Sequence, residues 1–271
     1  MDKQNWLGKT AVLSALTTRW LGQSYQYEEA VGSTNVLLKE MAEAGAEHGT
    51  VLLTNFQSKG KGRLGRQWEA APGTALLLSV LLRLDWPLER LAWVTMLGSV
   101  AMTEAIEQVT QLDVGLKWPN DVMVRQNGDW CKTCGLLAEV VGGQAGKPTA
   151  VILGSGVNVN IPAEQLPQAH TPPTSLMLAA GESVSRIDLL VAYLLRLEHG
   201  VETAVSGQSP LAAWAERLIT IGEPVTVTQV NGGQSIAGVA EAVDECGHLL
   251  VRDAAGVLHS VASGDVTLRN H

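Results

Sequence analysis

With 271 residues, 46% hydrophobic and 17% charged, the chain is long enough to bury a full core and to divide into two domains. A formal net charge of -8 argues against general binding to nucleic acid or anionic membrane, and no apolar run nears the roughly 20 residues that span a bilayer. Three cysteines make no disulfide framework and MDKQNWLGKT holds no signal-like apolar core, so a cytoplasmic protein is expected.

Thr10–Leu21 is weakly periodic, a possible short helix, and Tyr25–Ala30 is expected to be a strand. VGSTN (31–35) then sets a Ser/Thr/Asn cluster before VLLKEMAEA, the pattern of a helix N-terminus. Apolar strands at 49–56 and 74–82 flank QSKGKGRLGRQW (57–68). Gly60, Gly62 and Gly65 let that loop turn and approach a ligand, and Lys59, Lys61, Arg63 and Arg66 gather cations in an acidic protein, as a loop wrapping an anion would. Leu88–Val109 is a long helix by its period. Leu116–Val124 and Cys134–Val141 are expected strands, joined by a turn centred on Asn127-Gly128. Thr149–Ile161 is a further strand with a glycine break, followed by helices at 188–204 and 211–218. After Ile221 short alternating segments divided by NGG, ECG and AAG turns predict a small all-β unit. The expected division is therefore residues 1–220 and 221–271.

The glycines of the loop also satisfy G-x-G-x-x-G, but the chain continues into Pro72-Gly73 and a strand, whereas a dinucleotide site needs a helix starting on the loop. Trp130-Cys131-x-x-Cys134 resembles a redox pair, yet it leads into a strand and lacks the helix N-terminus that activates a thiol. A zinc site from Cys131, Cys134, Cys246 and His248 would have to draw on both domains. In KWPND (117–121) Pro119 stops the ladder and turns Asn120 and Asp121 toward a cleft. In GSGVNVN (154–160) the glycines permit close backbone approach, and Asn158 and Asn160 are expected on one face.

The order of these motifs is more specific than any one of them. S-T-N, Q-x-x-G-K-G-R-x-G-R-x-W, K-W-P-N-D, K-x-x-G-L-L-x-E and G-x-G-x-N-x-N, ending in SGDVTLR, resemble the biotin protein ligases from about Tyr25 to the end of the chain. The resemblance implies an α+β fold: a mixed sheet with helices packed on it, of the class II synthetase-like type, followed by an SH3-like β-barrel. It implies an enzyme that uses ATP with Mg²⁺ to make biotinoyl-5′-AMP and passes biotin to one lysine of a carrier domain, the biotin carboxyl carrier protein of acetyl-CoA carboxylase. An activated phosphate leaving group is what a carboxylate needs to become an acyl donor.

By the same resemblance Ser33, Thr34, Gln57, Gly60, Lys61, Arg63, Lys132, Gly135, Gly154 and Gly156 would hold biotin. Arg63, Arg66, Trp68, Asn120, Lys132 and Asn158 would meet ATP or AMP, and Lys132, Arg63 and Asp121 would carry the chemistry, Asp121 by orienting or deprotonating the acceptor lysine. Metal-holding side chains are not implied. Lys61 stands where many relatives have arginine, which keeps charge but loses bidentate geometry. About twenty-five residues precede the catalytic pattern, too few for the helix-turn-helix of ligase-repressors, so an enzyme without DNA binding is expected, as monomer or homodimer.

Overall fold

The strand that organises the molecule is Ala75–Leu82 (β3), whose eight residues are all buried. It lies inside a seven-stranded sheet of the computed structural model, which describes residues 7–143, 149–169, 171–229 and 235–268. Its neighbours are Tyr25–Glu28 (β1), Val51–Thr54 (β2), Val114–Lys117 (β4), Asp121–Gln126 (β5), Asp129–Val141 (β6) and Ala150–Asn158 (β7), in the order β1-β2-β3-β7-β6-β5-β4. β1 and β2 are parallel, joined through the helix Thr34–Glu43 (α2), and all other pairs are antiparallel. The sheet is mixed, as expected. The helix Lys9–Ala15 (α1) precedes it, shorter than the periodic stretch in the sequence.

Because side chains alternate across a strand, β3 serves both faces. Leu76, Leu78, Val80 and Leu82 share a core with Leu97, Met102 and Ile106 of Leu91–Thr110 (α3) and Leu190, Tyr193 and Leu197 of Arg186–Val205 (α5). Leu81 joins Leu38 and Ala42 of α2, and Ala75 and Leu77 form a separate cluster against Trp68. Only one face is thus fully covered by helices. The other is covered at one end by α2 and at the other by the 57–68 loop.

The expected strand at 116–124 is two strands. β4 ends at Lys117, the chain turns through Trp118–Asn120, and β5 starts at Asp121 and runs back beside β4, with Lys117 paired to Asp121. Pro119 has no N–H to continue a ladder, which fixes the break. The β5–β6 connection is the expected Asn127-Gly128 turn, both residues at positive φ (53° and 94°).

After Leu176–Ala180 (α4), α5 and Leu211–Glu216 (α6), a second, antiparallel sheet is built from Pro224–Gln229 (β8), Ile236–Val243 (β9), Leu249–Asp253 (β10), Leu258–Val261 (β11) and Gly264–Leu268 (β12), ordered β11-β10-β9-β8-β12. The anticipated turn at Asn231–Gly233 lies outside the described residues. Trp118 links the two sheets: its backbone N–H donates to Thr220 Oγ1 at 3.0 Å and its indole N–H to the Gly247 carbonyl at 2.9 Å. Residues 217–219 also hydrogen-bond to Leu116, covering the outer edge of β4.

The segment entering β1 hangs on one carboxylate. Glu198 of α5, 3% exposed, accepts the backbone N–H groups of Arg19, Trp20 and Leu21 at 2.8–3.0 Å. Burial alone would raise its pKa, but the three N–H bonds outweigh that and hold it below the ordinary value of 4.5. A depressed carboxylate adds stability above its unfolded pKa, and that stability is lost as pH falls through the folded one. Glu198→Ala is expected to cost about 2 kcal/mol at neutral pH in urea unfolding, since it strands the buried Leu21 donor and the part-buried donors of Arg19 and Trp20. The gap between variant and wild type should shrink as the pH is taken below the ordinary glutamate range.

Candidate active site

The site face of the sheet can be read from its register. Leu77 pairs with Gly156, Gly156 with Gly135, and Gly135 with Asp121, a row across four strands. Two facing glycines in that row leave a floor without side chains. The Trp68 ring lies on it: a Cβ on Gly156 would stand 2.7 Å from Trp68 Cε2, and one on Gly135 3.0 Å from Cζ3. The next row is Ser79, Gly154 and Leu137, and there a Cβ on Gly154 would collide with the Asn35 carboxamide. The sequence reading laid a ligand against Gly135, Gly154 and Gly156. Trp68 and Asn35 cover those three backbones here, so the surface open to a ligand is the side chains resting on them.

Trp68 arrives on the glycine-rich loop, which folds as a tongue. Trp68 N–H donates to Gly60 O at 3.0 Å and Gly62 N–H to Arg66 O at 2.8 Å, with the tip at Arg63–Gly65. Two of its glycines are demanded by geometry: Gly60, where a methyl group would strike the Trp68 carbonyl, and Gly65, at φ 74°. Leu64 at the tip also takes positive φ and is exposed. A cavity of about 670 Å³ lies between the tongue, Leu137 and Glu139.

Ser33 sits at the N-cap of α2 without making a capping bond. Gln57 takes that part, its Oε1 accepting from Thr34 N–H at 2.7 Å and Thr34 Oγ1 at 3.0 Å, which leaves its amide as a donor. Behind Thr34, the buried hydroxyl of Ser79 lies 2.7 Å from Thr34 Oγ1 and 2.6 Å from Asn35 Oδ1. Asn35 then donates to Glu139 at 2.7 Å, and Glu139 pairs with Lys61 at 3.3 Å. Asn35 and Glu139 fall within the S-T-N and K-x-x-G-L-L-x-E motifs but were given no role there, and Ser79 was not singled out, although a lone serine in the apolar run TALLLSVLL was a usable signal.

Lys132 reaches the same floor through a β-bulge. Val122 pairs with Cys134 but Met123 with Lys132, so Thr133 is the extra residue. Strict alternation would put Lys132 on the core side with Cys134. The bulge turns it to the site face, where its Nζ lies 2.7 Å from Asp121 Oδ1 and 3.6 Å from a Cβ position on Gly135. Residues 172–174 run alongside as a strap, with Lys132 N–H donating to Pro172 O at 2.7 Å and Thr174 N–H to Lys132 O at 2.8 Å. Asn158, at the end of β7, donates to Thr174 O at 3.0 Å; Asn160 lies beyond the strand and donates to Val184 O instead. On the strap side, a second cavity of about 620 Å³ is lined by Gln126, Leu166, Pro173, Thr174 and Leu178 among others.

Three more cations stand nearby. Arg63 donates to Asn120 Oδ1 at 3.1 Å; burial pulls its pKa down, though a guanidinium remains charged. Arg66 leaves the tongue to pair with Asp265 of β12, which raises the arginine and lowers the aspartate. Lys117, 7% exposed, donates to Thr171 Oγ1 at 2.6 Å, and burial lowers its pKa despite the raising effect of Asp121. Sequence reasoning gave Lys117 no role, since nothing in KWPND tells which way it points. Cys134 is fully buried and its thiol is pushed far up by burial, so it offers no reactive thiolate. Among the described residues no group of three or more His, Cys, Asp or Glu could hold a metal ion, and no helix is long and apolar enough to cross a membrane.

Such a constellation, cations around a planar floor with a buried donor set at one end, suits an anionic ligand that also carries a polar head group. The comparisons with known proteins agree. Residues 27–158 match the biotin/lipoate A/B protein ligase family and residues 220–269 the biotin protein ligase C-terminal domain. The bifunctional ligase/repressor BirA of Bacillus spizizenii is 30% identical over 99% of this chain and 81% of its own length. The biotin–[acetyl-CoA-carboxylase] ligase of Mycobacterium tuberculosis is 34% identical over 87% of this chain and 85% of its own. The structure of Aquifex aeolicus biotin protein ligase in complex with biotin and ATP superposes with a TM-score of 0.73 at 27% identity, covering 92% of this chain and all of that one. On these matches, this chain belongs to the biotin protein ligases.

Proposed function

We propose that the enzyme condenses biotin with ATP to biotinoyl-5′-AMP and then transfers biotin to one lysine of the biotin carboxyl carrier protein of acetyl-CoA carboxylase. The observation that carries this reading is Lys132, turned by the bulge onto the glycine floor beside Asp121, in a chain of this family.

Thr34, Gln57 and Ser33 would bind the biotin head group, with Gly60 and Lys61 of the tongue along it; the hydrogen-bonded cluster at the start of α2 supports this reading. The free amide of Gln57 supplies a donor and Thr34 Oγ1 either role. The acyl chain would run over the Trp68 ring and the Gly135–Gly156 floor toward Lys132, with Gly154 reached through Asn35. Asn158 and the cavity beside Thr174 are a fitting seat for adenine, with Asn120 and Arg63 toward the phosphates and Arg66 at their outer end.

The donor set does not make a cage for Mg²⁺. The acids nearest the cations are all paired, Asp121 to Lys132, Asp265 to Arg66 and Glu139 to Lys61. The ion would enter on the nucleotide phosphates, which it commonly accompanies, and would offset their charge there. Lys132 would bind the biotin carboxylate and the α-phosphate together, so that two anions can approach in line. Its exchange from Asp121 to those anions leaves the carboxylate able to orient the acceptor lysine. Ordering of the tongue keeps water from the mixed anhydride. A net charge of -8 makes the chain as a whole a poor DNA ligand, so an enzyme without repressor activity, in the cytoplasm and as monomer or homodimer, completes the reading.

The test is transfer of labelled biotin, with Mg-ATP, to a purified carrier domain, with lipoate as the competing acid. Wild type should label the domain with biotin and not lipoate, and Lys132→Ala should lower the rate by at least about 10²-fold. Surviving activity in that variant would move the chemistry to the arginine loop. Asp121→Asn is expected to slow transfer from preformed biotinoyl-AMP, and an unchanged rate would remove Asp121 from the mechanism. Arg63→Gly should release adenylate and label bystander lysines, read as biotin on added serum albumin; unchanged selectivity would count against the tongue as a lid.

A further inference from the structure

Trp68 has an unspent donor. Its indole N–H is buried and has no acceptor among the described residues. Other tryptophans show the usual arrangement: Trp118 donates to Gly247 O at 2.9 Å and Trp20 to Glu202 Oε1 at 2.9 Å. An indole N–H shut away from water without a partner is uncommon and calls for an explanation. Here the orphan lies at the centre of the site. A Cβ on Gly156 would be 2.8 Å from Nε1, so the N–H stands directly over the glycine floor. Lys132 Nζ is 3.6 Å from the corresponding point on Gly135, the residue paired with Gly156, and 5.7 Å from the Trp68 ring centroid. Two donors from different elements thus border the same pair of glycines, one charged and one neutral.

We propose that Trp68 is a catalytic residue of the transfer step, its indole N–H donating to the acyl oxygen of biotinoyl-AMP beside Lys132. The inference rests on the biotin ligase reading above and adds a role for one side chain within it. In transfer, the neutral Nζ of the acceptor lysine forms a bond to the acyl carbon, and the carbonyl electron pair moves onto oxygen. The intermediate collapses by breaking the bond from carbon to the phosphate oxygen; AMP leaves with that electron pair, and the amine proton passes to solvent. Negative charge is therefore greatest on the acyl oxygen, and a fixed N–H aimed there is worth most in the transition state. Adenylation makes a different demand. There the biotin carboxylate is the nucleophile and charge flows away from it toward pyrophosphate, so the same donor gives no comparable help. The indole is already held, with its ring on the floor and its backbone closing the tongue on Gly60, so no reorganisation is needed when charge develops.

The asymmetry between the half-reactions supplies the test. In Trp68→Phe the aromatic seat remains and the N–H is gone. Single-turnover transfer from preformed biotinoyl-AMP to the carrier domain should slow on the order of 10²-fold, and by at least about tenfold more than pyrophosphate release slows in the same variant. A second variant, with β-(3-benzothienyl)alanine at position 68 by amber suppression, keeps the bicyclic outline and replaces N–H by sulfur. It should show the same selective loss. Equal loss in both half-reactions, a raised biotin KM alone, or full transfer by the benzothienyl variant would each overturn the proposal and leave Trp68 as a seat only. A wild type that adenylates no biotin would instead overturn the underlying reading, and this one with it.

Discussion

The contact on which the site depends is that of one indole with two facing glycines. Gly135 and Gly156 lie opposite each other on neighbouring strands, and the Trp68 ring occupies the level at which any other residue would place its Cβ. Because Trp68 also closes the tongue on Gly60, the loop's position over the sheet is set by that contact. The tongue's cations follow from it: Lys61 reaches Glu139, Arg63 reaches Asn120 and Arg66 reaches Asp265, on three different strands or turns. A glycine-rich stretch with its own preference for many conformations is thereby held by a few side chains rather than by regular structure.

Lys61, Arg63, Arg66, Lys117 and Lys132 each have a protein partner, which for the enclosed Lys117 and Lys132 follows from placing positive charge among apolar strands. Lys132 is held by Asp121 and Lys117 by the Thr171 hydroxyl, while the tongue cations find theirs on other elements. These partnerships keep the cations placed, and on the proposed function a phosphate, which offers more oxygens and more charge, would compete for them. The exposed pairs of the tongue are the cheapest to break, and Lys132–Asp121, the most enclosed, the most costly. On the proposed function, exchange on ligand binding would therefore run from the tongue inward.

The small second sheet is tied into this arrangement from two sides. Trp118 of the KWPND turn carries its indole N–H into the Gly247 carbonyl, beside Met96 of α3 and Trp214 of α6. Asp265 of β12 meets Arg66 of the tongue. One contact bears on the turn that presents Asn120 and Asp121, and the other on the loop that would cover the phosphates. The sheet thus constrains both walls of the site without lending a group to its floor.

How much of this was legible depends on the range of the interaction. Local rules announced the strands, the α2 N-terminus, the Asn127-Gly128 turn and the change of texture after Ile221, because each is written in neighbouring residues. Motif order announced the family. What stayed hidden came from register. No local pattern says that Gly135 pairs with Gly156, so the glycines were read as room for a ligand when their first occupants are Trp68 and Asn35. Nor does alternation reveal Thr133 as a bulge. Period two from Cys134 places Lys132 in the core with the thiol, and one extra residue moves it to the opposite face beside Asp121. A lysine could not be buried there at tolerable cost without a partner, so the charge itself was evidence against the simple strand. Read that way, a basic residue out of phase in an apolar β segment is a sequence-level sign of a bulge, and of a functional one, because the fold gives up a ladder position to aim it.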